Sequence, residues 1–249
     1  MQVLITGAAG FLGRGLVVPF ERAGGYTLRL MDIVDFESPH QTVRGDVSDL
    51  PTVLEAAEGM DAIVVAHMAP NRPEVYETPT QALDVNVKGT ANLFYAAREK
   101  GIGKVVLISS QAAIRAHGER EVYPHDLPPC PGEGHYCLSK GLQEMIAEQH
   151  ARTCGISVAV LRVGYILDGD NNVDKYGRSV GQRAAPDTDR RDIGEVARRC
   201  LELTDLTYET LHVMSTPESM REWDVQYTCR RLGWEPEYDF SWLKEPQED

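Results

Sequence analysis

Val3-Leu4-Ile5-Thr6-Gly7-Ala8-Ala9-Gly10-Phe11-Leu12-Gly13 is the stretch that decides the fold of this chain. A short apolar run enters a glycine turn, and an amphipathic segment follows at once. In that order each glycine has its own task. Gly7 permits the tight turn, Gly10 leaves room for a phosphate against the backbone, and Gly13 lets the following helix lie close on the strand. The helix then presents free N–H groups and the positive end of its dipole to the turn, which is a ready anion site. Ala9, Phe11 and Leu12 belong to the same candidate dinucleotide contact. Small residues at a plain β-turn-α junction are the competing reading. The strict order of strand, glycine turn and helix favours binding.

Outward from that turn, apolar runs at 27–33, 61–66, 104–109 and 157–163 read as further strands after 3–6. Amphipathic segments at 11–23, 50–58, 80–99 and 136–153 read as helices. Strands alternating with helices imply βαβ units and a parallel sheet. Most of the strands are near-continuous apolar runs, as expected where helices cover both faces. The fold class is therefore α/β, a Rossmann-type doubly wound parallel sheet. Residues 1–165 are expected to form its core. Residues 166–249 are expected to be a small substrate-capping region integrated with that core. Within it, 164–191 is polar and reads as long loops, followed by a helix at 191–203, a strand at 210–214 and a helix at 219–232. The acidic tail, 236–249, is expected to fray.

The 249 residues suit one large domain. The formal charge of −13 repels nucleic acid and anionic membrane, so neither is an expected partner. The first apolar run is too short, and lacks the basic flank, for a signal peptide. No stretch approaches the length of a membrane span. Cysteines stand at 130, 137, 154, 200 and 229, an odd number with no C-x-x-C pair. Neither a disulfide framework nor a metal site is expected, and the reducing cytoplasm is the expected location.

Asp32 stands nineteen residues beyond Gly13, at the end of the second strand. A carboxylate there accepts hydrogen bonds from ribose hydroxyls and repels a 2′-phosphate, which favours NAD over NADP. Arg14 and Arg29 are nearby cations that weaken the preference. Ile33 follows Asp32 in the same contact. Asp46 and Val47, after a third short strand, would hold the adenine edge and face.

Tyr136 and Lys140 are four residues apart in a predicted helix, so they share one face. A free phenol titrates near 10, too high for a good base at neutral pH. A neighbouring ammonium and a bound nicotinamide would favour the phenolate. Such a tyrosine can exchange a proton with a substrate hydroxyl during hydride transfer. A lone Y-x-x-x-K spacing is common by chance. Here Ser109-Ser110 end an apolar strand, where ligands of open parallel sheets bind, and Ser110, one step further out, is the favoured candidate for orienting the substrate.

Taken together, Thr6–Gly13, Asp32, Ser110 and Tyr136-x-x-x-Lys140 resemble the extended short-chain dehydrogenases, the NAD-dependent epimerase/dehydratase family of sugar enzymes. The resemblance covers roughly residues 1–165. It implies that Ser110 orients the substrate, that Tyr136 is the acid/base and also contacts the cofactor, and that Lys140 binds the nicotinamide ribose and tunes Tyr136. It also implies that Asn86 is the family's helix asparagine. Ala66, His67 and Met68 would meet the cofactor at the end of the fourth strand, and Val163 at the end of the sixth. A homodimer through helices 80–99 and 136–153 is implied as well.

The resemblance implies hydride transfer between a sugar-like hydroxyl or carbonyl and nicotinamide. It leaves dehydrogenase and epimerase both open. Sugar-nucleotide dehydratases carry an Asp-Glu pair after the strand-end hydroxyl; Gln111-Ala112 stand there, so dehydration is disfavoured. The chain is short for cradling a whole nucleotide-sugar. Its size, Arg162-Val163-Gly164 and Asn171-Asn172 are similar to uronate dehydrogenases. The arginine expected for a carboxylate after those asparagines is replaced by Asp174-Lys175, and Gln111-Ala112 replace an Asn-His pair. Arg178, Arg183, Arg190 and Arg191 are the remaining candidates to meet an acidic group, against a reading as solvated loop charges. His67, His117 and His135 lie near predicted loops, where a structural role is commoner than a chemical one. The alternative function is a non-catalytic dinucleotide sensor, a class that keeps the glycine turn and usually loses the tyrosine or the lysine.

Overall fold

The computed structural model describes residues 1–70, 72–179 and 187–240. β1 (Gln2–Thr6) runs through the glycine turn into α1 (Phe11–Ala23), then β2 (Thr27–Asp32), β3 (Gln41–Arg44), α2 (Leu50–Ala56) and β4 (Ala62–Val65). Two helical turns, α3 (Pro73–Tyr76) and α4 (Pro79–Gln81), lead through a π-helical stretch (Ala82–Lys88) into α5 (Gly89–Lys100). β5 (Lys104–Ser110), a 3-10 segment (Gln111–His117), α6 (His135–Cys154) and β6 (Ser157–Val163) follow. The rest comprises β7 (Tyr165–Asp168), β8 (Val173–Asp174), β9 (Asp187–Asp189), α7 (Arg190–Glu202), β10 (Tyr208–Val213), α8 (Ser219–Glu222) and α9 (Val225–Leu232).

Seven strands form one sheet in the order β10-β6-β5-β4-β1-β2-β3, every neighbouring pair parallel. The chain winds outward from β1 through β2 and β3, then returns to β4 on the other side of β1. The crevice beyond the carboxyl ends of β1 and β4 is thus a topological switch point, where such sheets bind ligands. Alternate residues of a strand enter opposite layers. Val3 and Ile5 pack with Leu16 and Phe20 of α1 and Ile193 and Val196 of α7. Leu4 packs with Val53 of α2, Leu93 and Phe94 of α5 and Ala147 of α6. Register brings Thr6 beside Val65 and Ser110 beside Val163, so four strand ends share one edge.

The predicted helix at 80–99 is helical but not uniformly α; its π-helical stretch contains Asn86. The loops expected over 164–191 instead contain a second sheet, ordered β8-β7-β9, with β7 antiparallel to β8 and parallel to β9. The short strands there lack a long apolar alternation, which is why periodicity missed them. The helix expected at 219–232 is two helices. Trp223 is extended between them, and the Asp224 carboxylate caps α9 by accepting from the Tyr227 N–H. Residues 236–240 do not fray. The Glu237 and Tyr238 N–H groups donate to the buried Asp192 carboxylate at 2.9 and 3.3 Å, and Phe240 packs on Leu167. The remainder of the predicted tail, 241–249, lies outside the described residues. α7 and β10, both beyond residue 165, complete the main layers. All five cysteines are free thiols. No helix among the described residues is long and apolar enough to cross a membrane.

Candidate active site

A cavity of about 770 Å³ opens at the switch point and runs from the glycine turn to the start of α6. Its volume lies in the upper part of the range for small-molecule and cofactor sites. At one end it is walled by Gly7, Ala9, Gly10, Phe11 and Leu12; Asp32, Ile33, Asp46 and Val47 line the adjoining wall. Ala66, His67 and Met68 follow β4. Ser110, Tyr136, Lys140 and Val163 stand at the far end.

The turn fits a phosphate. Gly7 has φ +70, and a Cβ there would come within 2.8 Å of the Ala66 carbonyl oxygen. Gly13 does not line the cavity. It faces inward, where a Cβ would sit 2.2 Å from the Gly7 carbonyl oxygen. Its role is to let α1 close on the turn. Gly10 caps α1 without a side-chain hydrogen bond, and the first turn of α1 holds no acidic residue. The N–H groups at that end therefore meet the cavity with no competing anion from their own helix, which suits a pyrophosphate. The Asp32 carboxylate accepts from the Ala9 N–H at 3.0 Å and from the Val34 N–H at 3.3 Å. It is pinned beside the turn, where ribose hydroxyls would lie. Asp46 accepts from the Ser48 N–H at 2.8 Å, fixing the loop that presents Val47.

His67 is a structural histidine. Its Nε2 lies 3.1 Å from the Val85 carbonyl oxygen, which can only accept, so Nε2 carries the proton. Nδ1 then accepts from the Thr6 hydroxyl at 3.1 Å. Burial pushes its pKa down to about 4, keeping it neutral. His135 lies outside the cavity lining, with Nδ1 2.9 Å from the Tyr76 carbonyl oxygen. His117 Nε2 is engaged with the Pro128 carbonyl oxygen at 2.8 Å.

Asn86 does not reach the cavity either. Its side-chain oxygen accepts from the Ala69 N–H at 2.7 Å, and its amide donates to the Ser139 hydroxyl at 2.9 Å. Ser139 in turn donates to the Tyr136 carbonyl oxygen at 2.8 Å. The buried asparagine thus ties the segment after β4 to the first turn of α6. A π-turn is the kind of local register change often found beside functional sites.

The two serines at the end of β5 separate cleanly. Ser109 is buried and donates to Glu144 at 2.5 Å. Ser110 caps the 3-10 segment by accepting from the Ala112 N–H and lies on the cavity wall with Tyr136. Burial pushes the Tyr136 phenol above its ordinary pKa, and the nearby Ser110 hydroxyl acts in the opposite direction. Tyr76 packs edge-on against the Tyr136 ring at 5.4 Å between centroids. The Lys140 ammonium is buried and donates to the Ile108 carbonyl oxygen at 3.0 Å. Burial pushes it down to about 8, against the pull of Glu144 one helical turn on.

Sequence reasoning missed the brace under this end. Glu144 and Arg162 are both fully buried and paired at 2.7 Å. Arg162 also donates to the His125 and Leu127 carbonyl oxygens at 3.1 and 2.7 Å. With Ser109, this network binds β5, β6 and α6 into one unit. The spacing of Tyr136, Lys140 and Glu144, one turn apart each, was the available signal. Of the arginines considered for an acidic group, Arg178 is paired with Asp174, Arg190 with Asp168, and Arg191 with Asp189 and Asp170. Arg183 lies outside the described residues.

A model of the NAD dependent epimerase/dehydratase family matches residues 3–223. Among curated relatives, the uronate dehydrogenase of Pseudomonas syringae pv. tomato is 31% identical over 168 residues, covering 66% of this chain and 58% of that protein. The uronate dehydrogenase of Agrobacterium fabrum is 33% identical over 177 residues, 69% of this chain and 63% of that protein. The matched stretch thus spans less than two thirds of the length of these relatives. Among solved structures, a short-chain dehydrogenase/reductase superfamily protein from Agrobacterium tumefaciens with bound NAD superposes with a TM-score of 0.82 at 19% identity. It covers 98% of this chain and 94% of that one. That likeness concerns the fold.

Proposed function

Because this chain belongs to the NAD-dependent epimerase/dehydratase family, we propose that it is an NAD-dependent oxidoreductase that oxidises a hydroxyl of a small sugar-like substrate. The observation that carries this reading is the shared cavity: the glycine turn and Asp32 at one end, and Ser110, Tyr136 and Lys140 at the other. Bound NAD⁺ supplies the hydride acceptor. Gly7, Gly10 and the first N–H groups of α1 would hold its pyrophosphate, and Asp32 its adenosine ribose. The fixed carboxylate of Asp32 supports NAD over NADP.

In this reading the Ser110 hydroxyl orients the reacting oxygen of the substrate. The Tyr136 phenolate takes the hydroxyl proton as the carbonyl forms, and returns it in the reverse direction. Lys140 keeps its place through the Ile108 carbonyl oxygen and lies one helical turn from Tyr136, where its charge favours the phenolate. The same reading includes a homodimer through α5 and α6, on which Tyr95, Leu138 and Met145 expose apolar surface.

The relatives named uronate dehydrogenase support net oxidation over epimerisation. The test is NADH formation from NAD⁺ across aldoses, uronates and nucleotide-sugars. Stoichiometric NADH with a free sugar is expected. Interconversion of a nucleotide-sugar without net NADH would replace this reading with epimerisation. Nucleotide binding with no turnover on any of them would favour a dinucleotide sensor.

A further inference from the structure

Arg178, Arg190 and Arg191 are engaged with carboxylates, but other cations at the cavity are not. Arg72, Arg115 and Lys175 all line the cavity that contains Ser110 and Tyr136. None of the three forms an ion pair or a side-chain hydrogen bond with another described residue. What sets them apart is their place on the wall of this cavity. The acidic residues lining the same cavity are Asp32 and Asp46, both at the nucleotide end.

Arg115 is the best placed of the three. It sits in the 3-10 segment that Ser110 caps, five residues beyond that serine. The segment is held by the Cys130 N–H donating to the Ala113 carbonyl oxygen at 2.8 Å and by the Ala116 N–H donating to the Cys130 carbonyl oxygen at 2.9 Å. The base of the arginine is therefore fixed to the serine while its guanidinium remains exposed. Its charge reaches Tyr136. Lys175 follows Asp174 and feels its charge, but makes no hydrogen bond to that carboxylate, which accepts from Arg178 at 2.8 Å and the Tyr165 hydroxyl at 2.9 Å. Lys175 instead lies over the Tyr165 and Tyr176 rings at 5.5 and 5.3 Å. Partial burial lowers the pKa of its ammonium, so an arriving anion would relieve a desolvation cost.

The geometry points to an anion subsite: the substrate carries an acidic oxygen group, received by Arg115 and Lys175 with Arg72 at the rim, while its hydroxyl meets Ser110 and Tyr136. This rests on the proposed oxidoreductase reading and narrows its substrate to acidic sugars or polyols. The forked guanidinium of Arg115 suits a carboxylate or a phosphate bidentately, and Lys175 supplies a point charge.

The test compares glucuronate, glucose 6-phosphate and glucose as substrates with saturating NAD⁺. Preference for either anion over glucose, by about tenfold or more in kcat/KM, is expected from one charged contact. Which anion is preferred identifies the acidic group. Arg115→Gln and Lys175→Gln each lower that preference by about tenfold to a hundredfold, and Arg115→Lys restores part of it. Arg221→Gln, on exposed α8, leaves it unchanged. Equal turnover of all three sugars, or a preference unaffected by Arg115→Gln and Lys175→Gln, would overturn the subsite. If no sugar is oxidised, the same compounds are scored by the unfolding midpoint of the NADH-saturated protein. Protection by an anion but not by glucose, lost in Arg115→Gln, supports the subsite independently of turnover. Equal protection by all three, or none, overturns it.

Discussion

The two ends of the cavity are built from different materials. At the glycine turn the wall is largely backbone. A Cβ at Gly13 would meet the Gly7 carbonyl oxygen and the Ala8 Cα at 2.2 and 2.6 Å, and no rotamer change can relieve a backbone clash. Around Tyr136 the rim is made of long side chains, Arg72, Arg115, Lys175 and Tyr176, of which all but Lys175 are exposed. Beneath that rim lies a rigid support, the Glu144–Arg162 pair. The nucleotide end is thus set by the fold itself, whereas the substrate end places a side-chain rim on a buried base. Changes in substrate preference are therefore expected to come through the rim, and losses of folding through the turn and the brace.

Substitutions at the three levels should rank accordingly. Glu144→Ala strands the buried Arg162 guanidinium and should cost about 3–5 kcal/mol, read by urea unfolding. A loss near zero would show that the brace is not rigid. Gly13→Ala forces α1 off the turn and should cost about 1–3 kcal/mol, with a weaker NAD⁺ affinity by fluorescence titration. Acid should destabilise the fold by a smaller amount. His67 and His212 have folded pKa values pushed by burial to about 4 and about 3, below the ordinary histidine value. The unfolded chain therefore binds their protons first, and stability falls as pH drops from 6.5 toward 4. Asp192, raised by burial to about 6, opposes this by binding its proton first in the folded chain. Asp192→Asn should make the fall of the thermal midpoint over that range steeper; a shallower fall would reverse the assignment. Last, Arg178→Gln breaks an ion pair whose arginine is 61% exposed. Solvent screens the exposed guanidinium, and the buried Asp174 carboxylate keeps the Tyr176 and Arg178 N–H groups and the Tyr165 hydroxyl as donors, so the thermal midpoint should fall least of the series.

The nucleotide end was legible in the sequence because backbone requirements leave marks in residue type. Gly7, Gly10 and Gly13 could be assigned from strand–turn–helix order, and Asp32 from its place at the end of β2. The chemical end was legible only in part. Tyr136 and Lys140 follow from helical spacing, but Ser109 and Ser110 differ only in which way each hydroxyl points, and that depends on strand register. Asn86 reads as a cofactor contact, yet its side chain braces the wall from behind; His67 does line the cavity, with its ring nitrogens engaged by Thr6 and Val85. The arginines at 178, 190 and 191 carry the right charge, yet each has a carboxylate partner that no local pattern announces. Arg115 has no mark in the sequence for the converse reason, since its lack of a partner is visible only in three dimensions. Residues 164–191 looked like loops because their strands are too short to show a period of two.

In the proposed reaction Tyr136 carries the proton transfer, while the glycine turn and Asp32 carry most of the dinucleotide affinity. The direct test is Tyr136→Phe, with NAD⁺ affinity and single-turnover NADH formation measured on one preparation, using a substrate identified in the sugar panel. Affinity within about twofold of the parent protein is expected, with turnover lower by about 10²–10⁴-fold, the usual contribution of a positioned general base. Full turnover in the Tyr136→Phe protein would contradict it.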